Sequence, residues 1–231
     1  MLKYVLIFGL FMGLLSCEKK VGITSLNSNI QNVKQISHIK TDTIAEKEYK
    51  YLSFNDSIDS LPQEFRKFIP KNYSVIELSS GDVNLDKIED KILILKKNNE
   101  ENTSNYSEGK PDKRPFLLLL GQKDKTYKLA CRNDNAIYCI DYGLNDPSIN
   151  IFIKKGYFLI KHSFAGGPEH WGRTFIFQYN KKKNDWFVSK MNVLSYNFEL
   201  DKEIIISKQT PKDFGIISFK DFNIYKSDWD E

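Results

Sequence analysis

The sequence predicts a mainly β fold: an antiparallel sheet or sandwich of short strands, with a small helix at its N-terminal side. Three observations predict it. From residue 73 onward, short runs rich in branched and aromatic residues alternate with Asn, Asp, Gly or Lys turns. Few intervals between the runs are long enough for a crossover helix, which points to antiparallel pairing. The 231 residues are 41% apolar and 13% aromatic, enough for a real core and incompatible with wholesale disorder.

The elements follow in order. Leu61–Pro70 reads as a short helix, with Ser60 placed to cap it, Pro62 suited to its first turn and Pro70 stopping it. Leu61, Phe65, Phe68 and Ile69 then share one face. Strands are expected at 73–79, 91–97, 115–122, 126–133, 136–141, 150–154, 157–163, 174–179, 186–196 and 203–207. Residues 98–113 are a hydrophilic insertion, expected to be a mobile loop. No repeat of fixed period is visible, which argues against a propeller or solenoid.

The N-terminal segment has a different character. Residues 1–17 place Lys3 before an apolar run from Tyr4 to Leu15, followed by the small Ser16 and by Cys17. The run is short of the roughly 20 residues a membrane span requires. A basic start, a short apolar centre and a small residue before a cut describe a signal peptide, residues 1–16. Leu14-Leu15-Ser16-Cys17 resembles the lipobox of bacterial lipoproteins. That resemblance implies cleavage before Cys17, acyl chains such as palmitate on it, and anchorage to a lipid bilayer at the cell envelope, on the outer membrane. The alternative is an ordinary signal peptide with an incidental cysteine. A thiolate is the strongest nucleophile among side chains for taking such a group, and more than one acyl chain makes anchoring stable.

Residues 18–48 hold no Phe, Trp or Tyr, where the chain-wide frequency would place roughly four. Residues 17–48 therefore read as a flexible tether, and 49–231 as one β-rich globular domain. Loss of residues 1–16 removes only Lys3 among the charged residues, leaving 33 basic against 30 acidic. That balance gives no reason to expect nucleic acid as a partner.

Asp82-Val83-Asn84-Leu85-Asp86-Lys87-Ile88-Glu89-Asp90 precedes the apolar run Ile92–Leu95. Calcium takes six to eight oxygens, and alternate positions would turn Asp82, Asn84 and Asp86 inward. The Ile88 carbonyl and the Asp90 carboxylate would complete the shell. With Gly81, the loop resembles the Gly-Asp-x-Asn-x-Asp-Gly loops of FG-GAP repeats. It departs from them at Lys87, where the family has glycine, and it occurs once. The competing reading is an Asp/Asn-rich loop whose side chains bond their own backbone. Calcium is the one cofactor the sequence suggests. More widely, Pro62 to Trp186 is similar to a group of uncharacterised lipoproteins from Bacteroidetes-type bacteria. The similarity rests on Gly81–Asp90, Arg114–Gln122 and Tyr127–Asn135. It implies envelope location and fold, and no activity.

Ala165–Arg173 is the most distinctive loop, joining a strand that ends near Phe164 to one that begins at Thr174. Gly166 and Gly167 permit close backbone approach, and Trp171 and Arg173 are common recognition anchors. His162, His170, Trp171 and Arg173 are the candidate ligand-binding residues; His162, Glu169 and His170 would be metal ligands only if the loop folded back. The alternative is a hairpin whose Trp171 packs on the core. Cys131 and Cys139 are equidistant from Asn135, so a hairpin turning there places them opposite, within disulfide reach, and a disulfide is expected; the alternative is two small buried thiols on neighbouring strands. No Gly-x-Ser-x-Gly elbow, His-Glu-x-x-His helix, Walker loop or dinucleotide glycine pattern is present, and no catalytic residue is assigned. The expected function is a non-catalytic envelope module that binds a protein or glycan. The alternatives are an envelope hydrolase with an unrecognised site and a structural accessory subunit.

Overall fold

The computed structural model describes residues 61–226, apart from 144–145, 167–168 and 198–200. The expected signal peptide, Cys17, the tether, the domain start at Tyr49 and the capping Ser60 lie outside the described residues. All the described residues belong to one compact unit.

The chain first forms α1 (Gln63–Arg66), with Pro62 at its N-cap. Four antiparallel strands follow, β1 (Tyr73–Gly81), β2 (Asp90–Lys97), β3 (Phe116–Gly121) and β4 (Tyr127–Asn133), in sequential order. A second sheet of five follows, also sequential: β5 (Ser148–Lys154), β6 (Tyr157–Gly166), β7 (Glu169–Asn180), β8 (Asp185–Asn197) and β9 (Lys202–Gln209). α2 (Glu100–Thr103) interrupts the β2–β3 connection, and α3 (Pro211–Phe214) follows β9. The fold is thus mainly β and antiparallel, as the turn spacing predicts.

Strand alternation makes the core. Ile92, Ile94, Phe116 and Leu118 of the first sheet join Ile151, Phe158, Ile160, Phe175 and Phe177 of the second in one buried cluster. Phe219 and Phe222 enter the same cluster from the C-terminal segment. Alternate residues of the first sheet, Leu93, Leu95, Leu117 and Leu119, point the other way and are covered by Leu61 and Phe65. Hence β2 and β3 are apolar on both faces and read as continuous hydrophobic runs. β1 and β5 lie side by side, with the Ser79 hydroxyl donating to the Ile151 carbonyl at 2.9 Å.

Two expectations fail between β2 and β5. The strand at 136–141 does not form. The Asn133 side chain donates to the carbonyls of Phe219 (2.6 Å) and Phe222 (2.8 Å) while accepting from the Asn135 amide (2.7 Å). This turns the chain inward, and Ala136, Ile137, Tyr138 and Cys139 are fully buried without ladder pairing. The hairpin that would set Cys131 opposite Cys139 is therefore missing, and both are buried free thiols. Burial pushes each thiol up to about 11.

The second concerns residues 98–113, which are pinned. Glu100 is buried and accepts from Arg114 Nη2 at 2.6 Å. Ser104 Oγ and the Tyr106 amide both donate to Asp141, each at 2.6 Å. A hydrophilic composition concealed one buried ion pair.

Candidate functional site

At one end of the second sheet, the β6–β7 pairing places Phe164 opposite Trp171 and His162 opposite Arg173, on the face turned to the core. Trp171 and Arg173 were expected in a loop, but β6 runs to Gly166 and β7 starts at Glu169, so both are strand residues. Gly172 makes the register possible, because a β-carbon there would lie 2.6 Å from the His162 carbonyl oxygen.

The inward-turned segment after β4 brings Tyr138 and Tyr142 to the same end. A run of rings results. Tyr106 meets Tyr142 edge-on at 4.9 Å, and Tyr142 stacks on Tyr138 at 3.8 Å. Tyr138 meets Phe164 at 5.5 Å, and Phe164 stacks on Trp171 at 4.2 Å. Tyr138 is fully buried, Tyr142, Phe164 and Trp171 are half-buried, and Tyr106 is exposed. The run is therefore buried at its middle, at Tyr138, and comes toward the surface at both ends, at Tyr106 and at half-buried Trp171. Tyr225 closes it from the C-terminal segment: its hydroxyl donates to the Ile137 carbonyl at 2.9 Å and accepts the Cys139 amide at 2.8 Å.

Cations border these rings. The Arg173 guanidinium lies 5.5 Å from the Trp171 ring centre, and its Nη1 donates to the Tyr138 hydroxyl at 3.2 Å. Lys113 Nζ lies 3.4 Å from the Tyr225 ring centre. Burial lowers the Lys113 pKa and raises those of Tyr138 and Tyr225, so both phenols stay protonated donors. His162 is fully buried, and neither ring nitrogen has a hydrogen-bond partner. Burial, then the charges of Arg114 and Arg173, pull its pKa down to about 3, so it is neutral at physiological pH. It makes no hydrogen bond to a nucleophile or carboxylate, the relation that activates a catalytic histidine.

Of the sequence-derived binding set, His162, Trp171 and Arg173 come together; the His170 side chain lies outside the described residues. Tyr138, Tyr142, Phe164 and Tyr225 were missed, because only the inward turn at Asn133 and the returning C-terminal segment unite them.

The Asp82–Asp90 loop is a separate feature at the other end of the strands. Asp82 accepts the Asp86 (3.2 Å) and Lys87 (3.1 Å) amides, and Asp86 accepts the Ile88 amide (2.8 Å). Asn84 accepts the Asp86 amide at 3.0 Å and donates to its carboxylate at 2.9 Å. Asp90 is buried and accepts the Val83 (2.9 Å) and Gly121 (3.0 Å) amides. It thereby fastens the loop to the end of β3, and burial raises its pKa to about 6. Lys87 takes a φ of 71°, the conformation a glycine adopts freely, so the lysine does not prevent the turn. Among the described residues, no three His, Cys, Asp or Glu side chains converge to hold a metal.

No known protein family, curated protein or solved structure matches the chain.

Proposed function

We propose that this protein is a bacterial envelope lipoprotein, held by acyl chains on Cys17, whose β domain is a non-catalytic binding module for a protein or glycan. Support for the anchor is sequence chemistry: a short apolar leader ending in Leu14-Leu15-Ser16-Cys17, then an aromatic-free tether. The observation that carries the binding role is the ring stack that surfaces at Trp171 and Tyr142 beside Arg173. Trp, Tyr and Arg dominate recognition hot spots. Rigid ring faces accept the apolar faces of sugars or partner side chains, and the buried Arg173 guanidinium fixes the Tyr138 hydroxyl beneath them at 3.2 Å.

Intact-mass analysis of protein extracted from membranes tests the anchor. Acyl mass on an N-terminal Cys17 is expected, and a mature N-terminus elsewhere contradicts it. Fluorescence titration with soluble peptidoglycan fragments and purified envelope polysaccharide tests the glycan form of the binding role. A saturable change in the native chain, lost in Trp171→Phe, supports that form. The same change in both chains contradicts the assignment to Trp171.

A further inference from the structure

The β7–β8 turn and the segment after α3 enclose a groove of about 660 Å³, lined by Tyr179, Lys181, Lys183, Phe187, Pro211 and Ile216. Its apolar content is presented outward: Ile216 is 77% exposed. The segment is held rigidly. Thr210 and Asp213 cap α3 reciprocally, and the Val188 amide donates to the Ile217 carbonyl at 3.0 Å. Lys181, Lys182 and Lys183 occupy consecutive exposed turn positions, with Lys183 Nζ 4.9 Å from the Phe187 ring centre.

Charge is concentrated here. Residues 180–190 and 211–220 hold six lysines against two aspartates, a local +4 that equals the net charge of the whole chain. Both aspartates are engaged within the protein. Asp185 accepts the Trp186 amide at 2.8 Å and lies 3.7 Å from Lys220, while Asp213 accepts the Thr210 amide at 2.7 Å.

We propose that this groove docks the domain on an anionic phospholipid surface, with Ile216 entering the interfacial layer and Lys181, Lys182 and Lys183 contacting lipid phosphates. An aliphatic residue that protrudes beside lysines is the chemistry of interfacial membrane binding. Lysines fanned around a turn act as separate point charges, which suits a plane of phosphates better than one carboxylate-rich epitope. A protein hot spot would centre on accessible Trp, Tyr and Arg; here Trp186 is buried and Tyr179 alone of these types lines the groove, while Trp171 and Arg173 lie at the other end of β7. From Arg173 to Asn180 is about 23 Å at strand rise, so docking here turns the ring stack away from the bilayer. The proposal rests on the Cys17 anchor only to bring the bilayer near: a flexible chain the length of residues 18–48 would have an end-to-end distance of about 30 Å.

Residues 17–231 with Cys17→Ser separate the two ideas, since this chain carries no lipid. Its partitioning is measured onto vesicles of phosphatidylcholine alone and of phosphatidylcholine with phosphatidylglycerol. At about a factor of five per lysine, binding on the order of a hundredfold tighter to the anionic vesicles is expected, falling as salt rises. Lys181→Glu/Lys182→Glu/Lys183→Glu should abolish the preference, and Ile216→Ser should weaken binding several-fold without unfolding the domain. Equal binding to both vesicles, or an unchanged preference in the triple variant, overturns the docking surface. Acyl mass on native Cys17 is read independently, so the anchor can stand where the docking surface fails.

Discussion

Glu100→Gln removes one charge from the buried pair that fixes the β2–β3 connection. Glu100 is 0% and Arg114 2% exposed, and Arg114 Nε donates to both Glu100 oxygens at 3.1 and 3.2 Å, with Nη2 at 2.6 Å. Burial alone would lower the guanidinium pKa; Glu100 and Asp146 more than reverse it, so Arg114 stays charged. The variant leaves that charge to Asp146, whose side chain is 52% exposed at 2.8 Å. Stranding a buried charge costs about 3–5 kcal/mol. The lower end applies, because Asp146 still accepts from Arg114 Nη1 at 2.8 Å and leaves it partly compensated. A loss of about 3 kcal/mol lowers the thermal midpoint by roughly 10 °C in a domain of this size. Urea unfolding measures it. Asp146→Asn is the control, expected to cost under about 1 kcal/mol because that partner is exposed. Glu100→Leu with Arg114→Met should lie within about 1 kcal/mol of the native chain, since removing both charges strands neither. A Glu100→Gln cost no larger than that of Asp146→Asn would refute the reasoning.

Three further outcomes are expected. His162 is held neutral with a folded pKa of about 3 against 6.5, so its stability contribution is present above pH 6.5 and lost as pH falls. His162→Phe should flatten the acid limb of stability by up to about 1.4 kcal/mol per pH unit below 6.5, and parallel curves would contradict this. Asp90, raised to about 6, contributes in the opposite sense and is common to both chains. The domain with Cys17→Ser should show no thiol reactive to an aromatic disulfide reagent while folded, and two per chain after unfolding without reductant; none after unfolding would indicate a disulfide. Calcium should leave the thermal midpoint nearly unmoved, because Asp82, Asn84 and Asp86 already accept loop amides and Asp90 accepts that of Gly121. A rise of several degrees at micromolar calcium, abolished by Asp86→Ala, would overturn that.

The β pattern was legible because most strands are bounded by turn residues and carry alternation that one buried face imposes. The segment 136–141 has the same apolar look, yet it serves the core as irregular backbone. Its partner, the hydroxyl of Tyr225, lies far from it in sequence, and the flanking Asn133 side chain that turns it inward is held by the carbonyls of Phe219 and Phe222. Glu100 and Arg114 were invisible as a pair, since a polar insertion gives no sign of which carboxylate turns inward. α3 left a legible mark, Thr210-Pro211-Lys212-Asp213, that a strand-centred reading passed over. In the candidate site, Trp171 and Arg173 were conspicuous by residue type. The tyrosines that complete it are ordinary core formers until the chain brings them to one end.

The binding role is tested most directly by photocrosslinking in cells, with a benzophenone side chain placed at Trp171 or Tyr142 and, as a control, at exposed Lys128 on β4. The first two positions should yield the same discrete adduct, identifiable as a protein or a glycan, and Lys128 should not. No adduct at Trp171 and Tyr142, or the same adduct from all three positions, would contradict a binding face at this end of the sheet.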